Sequence, residues 1–131
     1  MKRICLTLFL ILGISLALLG AGLGTASASG ELPAKGMVTL IDLGAHQCIP
    51  CRMMAPILDE LKKEYKGRAA IVFLDVWEDR TLASQYGIRV IPTQIFYDRQ
   101  GKEFLRHEGF LSKEKIETVL TKLGVPKAPG K

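Results

Sequence analysis

The feature that most restricts this chain is a pair of cysteines two residues apart, Cys48-Ile49-Pro50-Cys51, lying between segments of different period. Before it runs Val38-Thr39-Leu40-Ile41-Asp42-Leu43, nearly continuous in apolar residues, as in a strand buried on both faces. After it, Met53, Met54, Ile57, Leu58, Leu61 and Tyr65 recur at spacings of three and four, the stripe of an amphipathic helix over residues 50–65. A Cys-x-x-Cys at a strand-to-helix junction reads as a redox dithiol. Pro50 suits a first helical position, where its missing N–H costs nothing, and Pro56 inside the helix predicts a kink.

The first segment does not belong to the same folding unit. Lys2 and Arg3 are followed by 25 residues, Ile4 to Ala28, without a charge. Ala26-Ser27-Ala28 fits the small-x-small pattern before a signal-peptidase cut, which makes residues 1–28 a signal peptide. The same run is long enough to stay as an uncleaved anchor, since a bilayer needs roughly 20 apolar residues. In both readings the positive end stays cytoplasmic and the rest is exported, to the periplasm or another extracytoplasmic space, with membrane contact only if the segment is retained. Cleavage would remove Cys5, leaving of three cysteines only Cys48 and Cys51. A lone pair this close together in an oxidising compartment reads as catalytic, because a disulfide closing so small a loop stabilises little.

The formal charge is +5, and losing Lys2 and Arg3 leaves +3. That mild excess on a mixed-charge surface lacks the concentrated basic face of a nucleic-acid binder. The remaining hundred or so residues can bury a core without cross-links.

Residues 29–37 read as a linker and 38–124 as one domain. Residues 69–76 form a second buried strand, parallel to the first through a right-handed crossover. Residues 78–86 suit a short helix ending at Gly87. Residues 93–97 and 102–107 are two strands joined by the turn Asp98-Arg99-Gln100-Gly101, hence antiparallel. Ser112 is placed to cap a last helix over 113–123, with Ile116, Val119, Leu120 and Leu123 inward. Residues 125–131 read as a loose tail.

These elements and motifs together resemble the thioredoxin family, over about residues 37–124. The resemblance rests on Asp42 six residues before Cys48, on Pro50-Cys51-Arg52-Met53-Met54-Ala55-Pro56-Ile57-Leu58-Asp59-Glu60, on Tyr86-Gly87-Ile88-Arg89-Val90-Ile91-Pro92-Thr93, and on Gly109-Phe110-Leu111-Ser112-Lys113. It implies an α/β, thioredoxin-like fold: a central mixed sheet of about four strands with helices on both faces, the first strand and helix truncated. The family usually carries aromatics where Gly44 and Gln47 stand, Gly at position 49, and a lysine where Phe73 stands.

Disulfide exchange begins with a thiolate, so the attacking sulfur needs a lowered pKa. Cys48, at the leading end of a helix, has the dipole and free backbone N–H groups to favour negative charge, and is expected to be the nucleophile. Cys51, one turn in, is expected to be the resolving thiol. Asp42 breaks an apolar strand; the resemblance implies a buried carboxyl that accepts the Cys51 proton, against the alternative of a strand-end residue paired at the surface. The resemblance also implies a cis bond at Pro92, with Ile91, Pro92 and Thr93 offering backbone to an extended substrate, and Ile49 and Pro50 touching it. His46 is either a cation that tunes Cys48 or an exposed loop residue. Trp77 caps the strand 69–76 and has no assigned chemistry.

The expected activity is protein-disulfide reduction, as reductant or electron relay, with protein thiols and disulfides as partners and a membrane thiol-electron transporter as donor. The rival is an exported Cu(I) carrier that uses the same two thiolates. Zinc is disfavoured, because beyond the cysteines only His46 and the distant His107 offer soft or imidazole ligands. Haem attachment needs His after the second cysteine, where Arg52 stands. No cofactor and no resident metal are expected.

Overall fold

The computed structural model describes residues 31–127. The expected signal or anchor segment with its expected cleavage motif, Cys5, and the last four residues of the expected tail lie outside them. The order is β1 (Val38–Gly44), α1 (Ile49–Glu64), β2 (Ala69–Asp75), α2 (Thr81–Gln85), β3 (Thr93–Tyr97), β4 (Glu103–Glu108) and α3 (Lys113–Lys122). The sheet runs β2-β1-β3-β4. β1 and β2 are parallel; β1–β3 and β3–β4 are antiparallel.

The central position of β1 explains its sequence, since all seven of its residues are buried. Alternation along the strand divides its side chains between two cores. Val38 and Leu40 join Met54, Leu58 and Leu61 of α1, Tyr65 at its C-terminal cap, and Ile116 and Leu120 of α3 on one face. Ile41 and Leu43 join Val76, Ile95 and Tyr97 on the other, covered by Leu82, Tyr86, Ile88 and Ile91. Helices therefore cover both faces, as the sequence pattern implies. Asp42 shares the parity of Leu40 and lies toward α1.

Several boundaries differ from expectation. α2 begins at Thr81 rather than 78, because side chains capture the preceding amides. Asp75 Oδ1 accepts the N–H of Trp77 and Glu78, and Asp79 Oδ1 accepts the N–H and hydroxyl of Thr81. Such local side-chain bonds compete with helix and hold a turn. The helix expected over 50–65 runs from Ile49 to Glu64, with Pro56 inside it. Ser112 occupies the N-cap of α3, but its side chain makes no cap bond.

The described part of the expected loose tail is fastened down. Val125 is 3% exposed in the α1–α3 core, Arg68 Nη1 donates to the Pro126 carbonyl at 2.6 Å, and Lys127 pairs with Glu117 at 3.1 Å. An apolar residue just past a helix-ending glycine can fold back onto the helix, and here Val125 does so. The expected linker is also engaged. Leu32 packs on the core opposite α1, and the Ala34 N–H donates to Thr39 Oγ1. Among the described residues no helix or strand precedes β1, and no helix is long and apolar enough to cross a membrane.

Candidate active site

β1 ends at Gly44, and Ala45-His46-Gln47 carries the chain to Cys48. The Cys48 N–H donates to the Ala45 carbonyl at 3.1 Å, and the Cys48 carbonyl accepts from the Arg52 N–H at 3.0 Å. Cys48 is thus the N-cap of α1, in extended conformation (φ −81°, ψ 123°), with no acidic side chain in the first turn. The positive end of the helix dipole therefore acts on this residue without a competing carboxylate. Cys48 is disulfide-bonded to Cys51, with 5.2 Å between their Cα atoms. Cys48 is partly exposed and Cys51 only 3% exposed. Ile49 (74% exposed), Pro50 and Met53 project around them into solvent.

The β1–β3 register sets Thr93 opposite Leu43, so Ile91-Pro92 and the loop Ala45–Gln47 occupy the same end of the sheet. The Ile91–Pro92 peptide bond is cis. The loop is braced by the Thr93 hydroxyl, which donates to the Val90 carbonyl at 2.7 Å, and by the Gly109 N–H, which donates to the Pro92 carbonyl at 2.8 Å. An open cavity of about 710 Å³ separates the two loops, lined by His46, Gln47, Trp77, Arg89, Val90 and Ile91 among others. Trp77 stands at the end of the strand as expected, but it is 54% exposed and forms one wall of this cavity.

Asp42 is fully buried, which excludes the surface-paired alternative. Its partner is Gln94, directly opposite on β3, whose Nε2 donates to Asp42 Oδ1 at 2.8 Å. Burial penalises the carboxylate and pushes the Asp42 pKa up to about 6, while the Gln94 bond works in the opposite direction. Asp42 Oδ2 and Gln94 Oε1 have no protein partner. Gly44, two residues on along the same face of β1, lies under Cys51: a β-carbon there would sit 3.1 Å from Cys51 Sγ. Asp42 is therefore about 7 Å along the strand from the point where the buried sulfur touches the sheet.

His46 has a partner that the sequence did not reveal. Its backbone N–H donates to Asp75 Oδ2 at 2.8 Å, and its Nδ1 lies 2.5 Å from the same oxygen. The Asp75 side chain is 6% exposed. Burial raises its pKa, but the bonds from the His46 and Trp77 amides, the His46 ring and the Glu78 amide outweigh that and pull it down to about 2. The His46 ring also meets the Phe73 ring edge-on, with centroids 5.1 Å apart. His46, Phe73, Arg52 and Cys51 help line a second cavity of about 240 Å³. Among the described residues, the one cluster of metal-type donors is His46, Asp75 and Glu78, and neither cysteine belongs to it.

Gln94 and Asp75 are the site-forming residues that sequence reasoning missed. For Gln94 a signal was present. It interrupts the apolar strand Thr93-Gln94-Ile95-Phe96-Tyr97 just as Asp42 interrupts β1. Two polar anomalies in adjacent buried strands are candidates to bond each other, because a buried polar group needs a partner.

A mixed four-stranded sheet with a Cys-x-x-Cys disulfide at the head of its first helix defines a dithiol–disulfide exchange protein. Comparison with known proteins agrees. The Thioredoxin family model matches residues 29–122. Thioredoxin of Staphylococcus aureus is 41% identical over 85 residues, covering 65% of this chain and 81% of that one. Among solved structures, chloroplastic thioredoxin z superposes with a TM-score of 0.62 at 27% identity, over 68% of this chain and 80% of that one. An exposed lipoprotein thioredoxin of Streptococcus pneumoniae shares the fold, with a TM-score of 0.61 at 24% identity over 67% of this chain and 86% of that one. The chain belongs to the thioredoxin family and is a thiol–disulfide oxidoreductase.

Proposed function

We propose that this protein is an exported reductant or electron relay that exchanges disulfides with other proteins, with Cys48 as nucleophile, Cys51 as resolving thiol and Asp42 as proton acceptor. The observation that carries the reading is the disulfide across the first turn of α1, with one sulfur-bearing residue partly exposed and the other buried. A partner can reach only the outer sulfur. In the reduced protein the Cys48 thiolate, favoured by the helix end, attacks the partner's disulfide. Cys51 then displaces the partner's sulfur, giving up its proton to Asp42, whose raised pKa suits it to take and release a proton near neutrality. The partner's chain lies extended beside Ile91, Pro92 and Thr93, and touches the exposed Ile49 and Pro50. The charge pattern of residues 1–28 supports export, and a membrane thiol-electron transporter is the fitting source of electrons in that compartment.

A redox titration of Cys48–Cys51 against glutathione or dithiothreitol tests the direction. A potential near about −270 mV is expected; one near about −120 mV would make the protein an oxidant and overturn the reading. Insulin reduction by wild type and Cys48→Ser tests the nucleophile: equal turnover would remove that assignment. Tight Cu(I) binding without thiol exchange would favour the copper-carrier alternative. N-terminal sequencing of secreted protein distinguishes cleavage after Ala28 from a retained anchor.

A further inference from the structure

The geometry points to Gln94 as the residue that positions Asp42 for proton exchange with Cys51, one side-chain amide serving both protonation states of the carboxyl. This rests on the assignment of Asp42 as proton acceptor. Both residues are fully buried, and the β1–β3 register sets them face to face. Ionised Asp42 is held by the 2.8 Å bond from Gln94 Nε2 to Oδ1. The carboxyl's other oxygen, Oδ2, and the amide's other polar atom, Oε1, are both without a protein partner. A proton arriving on Oδ2 turns that oxygen into a donor, and the unpartnered Oε1 is an acceptor on the same amide. Amide and carboxylic acid can then pair at two points, while amide and carboxylate pair at one.

An apolar side chain at this place would leave the carboxylate buried without a donor, and Asp42 would hold its proton too firmly. A side chain that only donates would favour the carboxylate alone. The amide lets the proton come and go. When the mixed disulfide resolves, Cys51 passes its proton to Asp42 Oδ2 through an intervening water, since the two groups stand about 7 Å apart along the strand, and its sulfur electron pair forms the bond to Cys48 Sγ. The bond from Cys48 to the partner's sulfur breaks, and that sulfur leaves with the electron pair and is protonated by solvent. Two electrons have passed from the protein dithiol to the partner's disulfide, and Asp42 then returns its proton.

On this side of the sheet Tyr65 is buried in the α1–α3 core, Glu60 and Glu64 of α1 pair with Lys113 of α3, and burial and the Gln94 bond are the influences on Asp42 itself. Cys51 comes from α1. His107 lies beside Gln94 on β4, its Nε2 3.2 Å from the Phe110 carbonyl oxygen. β2 contributes the apolar Phe73, with His46 beyond its ring.

The test uses Gln94→Leu and, should that variant fold poorly, the unbranched Gln94→Met. In the oxidised protein the Asp42 carboxyl is titrated by carbon NMR, a readout independent of turnover. The expected result is a midpoint raised by about one to two pH units, the size of one charge-assisted hydrogen bond. The acid limb of the insulin-reduction profile, with dithiothreitol as reductant, should rise with it. An unmoved midpoint, or a turnover loss equal at every pH, would overturn the inference and leave Gln94 a packing residue. Asp42→Asn distinguishes the two levels. If it keeps the acid limb, the proton-acceptor assignment fails and takes this inference with it. If it abolishes the limb while Gln94→Leu leaves the midpoint in place, only the role of Gln94 fails.

Discussion

A β-carbon at Gly44 would stand 3.0 Å from Phe73 Cε2, 3.1 Å from Cys51 Sγ and 3.2 Å from Cys51 Cβ. These distances are tighter than nine in ten real β-carbon contacts, so a side chain at 44 would need its neighbours to give way: the strand passes directly beneath the disulfide. Gly44 and Phe73 are thus fitted to each other. The phenyl ring fills space above the strand that a larger residue 44 would need. Gly44→Ala is expected to destabilise the oxidised protein by about 1–3 kcal/mol, as overpacking does. Adding Phe73→Leu should recover part of that loss, so a denaturant-unfolding cycle over the two sites should show non-additivity. Strict additivity would refute the coupling.

Asp42 makes stability depend on pH in an unusual direction. Its folded-state pKa is raised to about 6 from an ordinary 3.8, so the folded state binds the proton more tightly than the unfolded chain. Its stabilising contribution is complete below pH 4 and is lost as pH rises through 6. Two units correspond to about 3 kcal/mol. Asp42→Asn should therefore be more stable than wild type at pH 7–8 by about 2–3 kcal/mol, with the gap closing below pH 4. Chemical denaturation of both oxidised proteins across pH 3–8 gives the measurement, and a gap constant with pH would contradict the assignment.

Asp75 works with the opposite sign. Its pKa falls to about 2 despite burial, because amides and the His46 ring bond the ionised form. Its contribution is present above pH 4 and is lost as pH falls toward 2. Asp75→Asn should cost about 2 kcal/mol at pH 7 and progressively less below pH 4. Acid-unfolding midpoints of the two proteins decide the point. The variant should also loosen the loop that delivers Cys48, visible as faster amide exchange at His46 and Trp77.

The sheet, the three helices and the disulfide pair were legible because each is written in a local pattern. Apolar runs marked β1 and β2, a three–four stripe marked α1, and Cys-x-x-Cys marked the head of that helix. What could not be read were pairings between elements far apart in sequence. Asp42 was visible as an anomaly in an apolar strand, but its partner Gln94 lies 52 residues away and its parity relative to α1 depends on register. The His46–Asp75 contact spans 29 residues. It joins a loop residue to a strand end, and no periodicity announces such a meeting. α2 starts later than its sequence suggests, because helical propensity at 78–80 loses to the bonds accepted by Asp75 and Asp79. The fastening of Val125 depends on the α1–α3 groove, which exists only once both helices are docked.

The division of labour between the sulfurs gives the last expectation. With Cys51 replaced by Ser, Cys48 can still attack a partner's disulfide, but nothing buried behind it can break the resulting bond. Cys51→Ser should therefore accumulate a mixed disulfide with insulin or another reducible protein, visible as a mass shift on non-reducing gels and released by dithiothreitol. Cys48→Ser should accumulate none, because the remaining thiol is only 3% exposed. The reduced wild type should also lose Cys48 to iodoacetamide first, at mildly acidic pH where an unperturbed thiol with pKa about 8.5 hardly reacts. If mass mapping found Cys51 alkylated first, or Cys48→Ser trapped partners as well as Cys51→Ser, the roles would have to be exchanged. The burial of Cys51 beneath the first turn of α1 would then have to open transiently in solution.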